Sequence, residues 1–309
     1  MIWRQKIRAA VYRSYILAIR LAERLLGPRA VSLPLFPIIA GDFLRRLPDF
    51  TQFHRLREFL PPTLREQPAL RHYFRMIRIW HESLAVTILF DRLDSPAWTR
   101  RIRESGPAPD QLPEWNQRPV IVIFLHAGGY ALLRSRLRSR GIPAALQVRA
   151  LPEISFQAHR IRKAGNARYG MSDIPEILMG GNAARNALKF LIPGHALLVA
   201  LDPGWDEPLT RYDVGGIALH LQDGAVRLAR HTRAILLPAS VHRTGPLQFD
   251  IRYGTPVPDS LLQTDDTAPA MQHLVEELWP QLERDPDAIG WHTLEALNPV
   301  RAKIRTTWP

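Results

Sequence analysis

The chain has 309 residues, no cysteine and a formal net charge of +12, which excludes disulfides and thiolate metal sites and leaves room for one large α/β domain. Only Lys6, Lys163, Lys189 and Lys303 are lysines, so arginine carries nearly all of the positive charge. Its planar fork of donors suits phosphate groups on phospholipid, glycolipid, cofactor or nucleic acid, although a GC-rich coding sequence would also raise arginine without consequence.

Residues 1–27 have helical period. Ile2, Trp3, Ile7, Ala10, Val11, Leu17, Ala18, Leu21 and Leu25 form an apolar stripe, Arg4, Lys6, Arg8, Arg13, Arg20 and Arg24 carry charge, and Gly27-Pro28 stops the helix. Charges at Arg8, Arg13 and Arg20 argue against a secretory signal, and no run approaches the roughly 20 apolar residues of a membrane span. Residues 1–60 hold eleven basic against four acidic side chains. A basic amphipathic helix with a tryptophan near its start fits either an interfacial membrane anchor or a helix docking its stripe on the domain. Pro34, Pro37 and Pro48 break residues 33–60 into short turns around the apolar patch Leu33–Ile39.

Ala69 to Phe90 reads as a long helix, and five prolines make residues 94–119 a loop. Val120–Leu125 is a continuous apolar run that fits a strand buried on both faces. A helix follows over 130–140, bearing Arg134, Arg136, Arg138 and Arg140, of which at most two can face a common ligand; the others are expected in solvent. Next come a strand over 144–148, a helix over 154–163, a mostly helical stretch over 174–190 broken at Gly180-Gly181, and a strand over 195–201. A helix over 223–232 has Asp223 placed to cap it. Strands over 234–241 and 247–253 and a helix over 267–278 complete the body. This alternation predicts an α/β fold: a mostly parallel mixed sheet flanked by helices, with a helical lead-in at 1–60 and the α/β domain at 61–309.

The stretch that bears chemistry is the end of the first long strand. His126 stands at its carboxyl edge, where open α/β sheets place ligands, and Gly128 and Gly129 allow backbone or substrate to approach closely. A histidine satisfied inside the core fits the same position. There is no Gly-x-Ser-x-Gly elbow, phosphate loop or three-glycine dinucleotide turn, and His81-Glu82 lacks the second histidine of a zincin helix. The arginines lie mostly on helices rather than interleaved with aromatics on a sheet face, which argues against nucleic acid as a partner.

The order of His126 after a buried strand, Lys189-Phe-Leu-Ile-Pro-Gly194, Val199-Ala-Leu-Asp202, Val226-Arg-Leu-Ala-Arg-His-Thr-Arg-Ala234, Leu236-Leu-Pro238 and the tail from Leu278 to Trp291 resembles the bacterial lipid A lauroyl/myristoyl acyltransferases. That family belongs to the glycerolipid (lysophospholipid) acyltransferase superfamily, and the resemblance covers roughly residues 70–292. It implies that His126 is a general base toward an acceptor hydroxyl or amine attacking a fatty acyl thioester on acyl carrier protein or coenzyme A. It further implies a substrate-binding role for Gly128, Gly129 and Tyr130, a phosphate anchor at Arg160 or Arg162, a lipid acceptor, no cofactor or metal, and peripheral residence on the cytoplasmic face of the inner membrane.

One departure stands out. The family pattern is His-x4-Asp/Glu, and the fifth position after His126 is Ala131. The orienting acid of such a dyad is worth about 10⁴ in rate in the serine proteases. Three explanations compete. Another carboxylate reaches His126, with Asp202 at a strand end and Asp206, Glu207 and Asp213 on the following loop as candidates; Asp202 fits a simple turn-capping role equally well. Or the acceptor is nucleophilic enough to need less base. Or the protein binds lipid or acyl carrier without transfer.

Overall fold

The computed structural model describes residues 2–149, 176–179, 182–202, 209–214 and 217–297. The expected helix over 154–163, Arg160, Arg162, Asp206 and Glu207 lie outside them.

The helices are α1 (Ile2–Leu26), α2 (Ser32–Arg45), α3 (Phe50–Arg57), α4 (Ala69–Ile88), α5 (Pro96–Thr99), α6 (Ala131–Ser139), α7 (Ala183–Phe190), α8 (Gly224–Thr232), α9 (Asp259–Leu262), α10 (Ala268–Arg284) and α11 (Trp291–Ala296). The strands are β1 (Ile102–Ser105), β2 (Val120–Phe124), β3 (Ala144–Arg149), β4 (Glu176–Met179), β5 (Ala196–Ala200), β6 (Thr210–Val214), β7 (Ile217–Leu221), β8 (Ile235–Gly245) and β9 (Gln248–Tyr253). Seven of them form one sheet in the order β1-β9-β8-β2-β5-β3-β4, while β6 and β7 make a separate antiparallel hairpin. Within the sheet only the β8–β9 pairing is antiparallel. The fold is therefore α/β with a mostly parallel mixed sheet, as the alternation of elements predicts.

β2 lies at the centre, and all five of its residues are buried, which is why it reads as an unbroken apolar run. Its neighbour β5 pairs in a register that sets Phe124 opposite Ala200. Both strands thus end at the same level of the sheet.

The N-terminal helices share the core. Tyr15, Ile16 and Ile19 of α1 and Leu35 and Ile39 of α2 are buried with the residues of the sheet, whereas Leu17, Leu21 and Leu25 of α1 and Leu33 and Phe36 of α2 are exposed. The expected stripe is therefore not the docked face of α1: its members Leu17, Leu21 and Leu25 stay exposed, and Tyr15, Ile16 and Ile19, outside it, make the core contact. No helix among the described residues is long and apolar enough to cross a membrane.

Several expectations need correction. Two of the three prolines do not break 33–60: α2 runs through both Pro34 and Pro37, whereas Pro48 lies in the short 3-10 turn Leu47–Asp49 between α2 and α3. Pro34 sits in the first turn, where an N–H has no intrahelical acceptor, and the core contacts of Leu35 and Ile39 offset the bond lost at Pro37. The supposed loop at 94–119 contains β1, which pairs with β9 at the sheet edge. Only Ile102 of β1 is buried, so it has no apolar run to reveal it. Within the stretch 174–190, residues 176–179 are not helix but β4, an edge strand beside β3, and 183–190 are helix; Gly180-Gly181 lie outside the described residues. Asp223 stands at the head of α8 without a capping bond; its carboxylate pairs with Arg227 and accepts the Thr267 hydroxyl. Helix α10 continues past Leu278 to Arg284, through Pro280. The arginines of α6 are not left to solvent. Arg136 pairs with Asp94 and Glu104, and Arg140 with Glu104 and Asp110, tying α6 to β1 and its flanks.

Candidate active site

His126 and Asp202 each follow their strand by two residues, and the β2–β5 register brings them face to face. The Leu201 N–H donates to the Phe124 carbonyl, so pairing continues one step past β5. Asp202 is buried and its carboxylate is crowded with donors. The backbone N–H of His126 reaches Oδ1 and Oδ2 at 2.9 and 2.8 Å. His126 Nδ1 lies 3.0 Å from Oδ1 and 3.0 Å from the Asp202 carbonyl. The Thr293 hydroxyl, itself fully buried, donates to Oδ2. So many donors fix the carboxylate in place.

The consequence for His126 is a defined tautomer. With acceptors facing Nδ1, the proton of the neutral ring sits there and the lone pair is on Nε2. Nε2 has no hydrogen-bond partner among the described residues, and the side chain keeps 24% of its surface exposed. An imidazolium formed at this position would be stabilised by Asp202 beside it. That is the apparatus of a general base.

The backbone that carries His126 is clamped. Gly128 has φ +61°, its N–H donates to the Ala288 carbonyl, and a Cβ there would lie 1.9 Å from the Val241 carbonyl oxygen. The Gly129 N–H donates to the same Val241 oxygen, and its Cβ would press on the Phe249 ring at 2.8 Å. What approaches these two glycines is therefore the protein's own β8 and β9. Ala127 forms a bridge with Ile289, and a Cβ on Gly290 would meet the His126 carbonyl oxygen at 2.0 Å. The segment before α11 thus presses directly on the His126 turn.

Aromatic rings wall the imidazole. Tyr130 meets His126 edge-on at 4.8 Å between centroids, stacks on Phe124 at 5.4 Å and contacts Trp80 at 5.6 Å. The ring of His292 stands 4.8 Å from that of His126. His292 Nδ1 is 3.4 Å from Oε2 of the buried Glu295, whose Oε1 accepts the Trp291 indole N–H. Two imidazoles, each beside a buried carboxylate and each partly exposed, therefore stand side by side.

Of the other candidate residues, Asp213 is elsewhere: it sits on β6, largely exposed, paired with Arg211. Ala131 lies at the head of α6, its carbonyl accepting the Thr87 hydroxyl. His81 and Glu82 are structural, His81 bonding Asp42 and Glu82 taking Arg78 and Arg243. Sequence reasoning missed Gly290, His292, Thr293 and Glu295. The available signal was polar residues set among Trp291, Leu294 and Leu297 in a stretch that the structure buries.

No protein-family model matches the sequence, and comparison with characterised proteins returns no match.

Proposed function

We propose that the protein is an acyltransferase working at a membrane surface, with His126 as general base and Asp202 as the carboxylate that orients it. The observation that carries this reading is the contact of His126 Nδ1 with the buried Asp202 at 3.0 Å, which supplies from β5 the acid that position 131 lacks. The acceptor hydroxyl or amine gives its proton to Nε2 as its O or N attacks the carbonyl carbon of a fatty acyl thioester. The tetrahedral intermediate then collapses, the C–S bond breaks, and the departing thiolate takes the proton back from the imidazolium. Acyl carrier protein or coenzyme A is the donor and a lipid or glycolipid the acceptor. An acidic carrier would be drawn by the strong positive charge of the chain.

Membrane residence is supported by the open side of α1 and α2. Leu17, Leu21, Leu25, Leu26, Leu33 and Phe36 are exposed close to Arg24 and Arg29, an apolar surface with basic neighbours that suits anionic lipid on the cytoplasmic leaflet.

The test is transfer of a labelled acyl group from an acyl carrier protein thioester to total lipid extract by the purified protein. Transfer by the parent should fall by about 10³-fold or more in His126→Ala, with liposome binding unchanged. Parent-like turnover in that variant would sink the assignment. A parent that binds lipid or carrier but transfers nothing would favour a binding homologue, the reading to which Ala131 otherwise points.

A further inference from the structure

A polar cavity, none of whose lining residues belongs to the His126 centre, opens beside α3. It has a volume of about 370 Å³ and is lined by His54, Arg57, Glu58, Pro62 and Arg65. We propose that it binds a phosphate monoester.

Two arginines of its lining, Arg57 and Arg65, have no carboxylate in contact among the described residues. Arg57 is only 8% exposed, yet the acceptors it has found are neutral: Nε donates to His72 Nδ1 at 3.1 Å, and Nη2 to the carbonyls of Arg65, at 2.8 Å, and Gln67. Its Nη1 has no hydrogen bond among the described residues. Buried charges are ordinarily paired, because desolvating a lone guanidinium is costly. The cost is visible here, since burial, and then the neighbouring charge of Arg65, pull the Arg57 pKa down against the opposing charge of Asp287, which is itself paired with Arg75. Arg65 repeats the pattern: its Nε is shut off from solvent with no partner. Among the described residues, no carboxylate pairs with either arginine. The one acid lining the cavity, Glu58, lies 3.6 Å from His54 with most of its side chain in solvent.

The unmet demand is thus for an anion with several oxygens and more than one negative charge. A phosphate monoester carries about −1.5 to −2 at pH 7 and three acceptor oxygens, which Arg57 Nη1, the Nη atoms of Arg65 and the His54 ring can share. A single carboxylate would leave one arginine unsatisfied. The cavity is also wired to the His126 turn. Burial pushes the His72 pKa down to about 4, so that the ring stays neutral, accepting from Arg57 and donating from Nε2 to the Ile289 carbonyl at 3.3 Å. Ile289 bridges Ala127, and Gly290 packs on His126. Binding here does not depend on the acyl-transfer reading and is measured without turnover.

The experiment is titration of the full chain with inorganic phosphate, followed calorimetrically, for the parent, His126→Ala and Arg65→Gln. Arg65 is the residue to change because its side chain makes no hydrogen bond among the described residues and the fold should tolerate its loss. Saturable binding by the parent and by His126→Ala, weakened by about tenfold or more in Arg65→Gln, is the expected result. No saturable binding, or equal affinity in parent and Arg65→Gln, overturns the proposal. Vesicles containing phosphatidic acid then identify the source of the phosphate. If inorganic phosphate displaces the parent from them and Arg65→Gln is insensitive, the occupant is a lipid headgroup. If phosphate binding requires Arg65 but displaces nothing, the occupant is a soluble monoester.

Discussion

Glu82 and Asp202 are both buried carboxylates that join distant parts of the chain, and they differ in what they hold. Glu82, on α4, takes Arg78, the Nε and Nη2 of Arg243, and the backbone N–H of Leu247, which has the unfavourable φ of +54°. Its partners are permanently charged or part of a strained turn, and the node can only hold β8 and β9 against the helix. Asp202 takes a backbone N–H, a threonine hydroxyl and one nitrogen of an imidazole. The remaining nitrogen of that imidazole is uncommitted among the described residues, and the ring is partly open. Burial of an acid is common to both. A titratable partner with one end left over is what separates a site from a clamp.

Charge-removing substitutions should make that contrast measurable. Asp202→Asn preserves shape but lets the imidazole take the wrong tautomer, and kcat/KM for acyl transfer should drop by about 10³–10⁴-fold with the denaturation midpoint close to that of the parent. If turnover survives the change, Asp202 is a strand-end brace and the comparison collapses. Glu82→Gln should do the reverse. Leaving Arg243 buried without its partner should cost about 3–5 kcal/mol in urea unfolding, while turnover per folded molecule stays close to the parent's. A large loss of activity from the folded Glu82→Gln protein would mean that the clamp also shapes the site.

How far these two centres could be read from the chain depended on whether the signal was local. β2, β5 and the buried first part of β8 are legible because strands buried on both faces must be apolar; the chain marks the ends of β2 and β5 with His126 and Asp202, while β8 runs past the expected end at 241 into the partly exposed His242–Gly245. That places His126 and Asp202 at strand ends, though not face to face, since register is a tertiary property. The edge strands β1 and β4 have only four residues each and β6 and β7 five, too short for periodicity to reveal; β1 is mostly polar, and its partner β9 lies far along the chain. Helix α2 misled because proline position within a helix matters more than proline count. Thr293 and His292 come from a short helix whose sequence separation from the site hides their role; the contact between Thr293 and Asp202 spans 91 residues.

The smallest expected effect bears on the residue that made the site doubtful. Position 131 looks like a missing acid so long as His126 is judged by its own helix. In the structure Nδ1 is already taken by Asp202, and Ala131 sits on α6 with its carbonyl engaged by Thr87. Supplying a carboxylate there should therefore restore nothing: Ala131→Glu should transfer acyl groups within about twofold of the parent, since the orienting role is filled. The informative form of the measurement pairs it with Asp202→Asn. If Ala131→Glu rescues transfer in the Asp202→Asn background but changes little alone, the two positions are alternative seats for one acid, and the chain has moved that acid from the helix to the neighbouring strand. If the double variant stays as inactive as Asp202→Asn, the geometry of β5, with Thr293 behind it, is the sole support His126 can use.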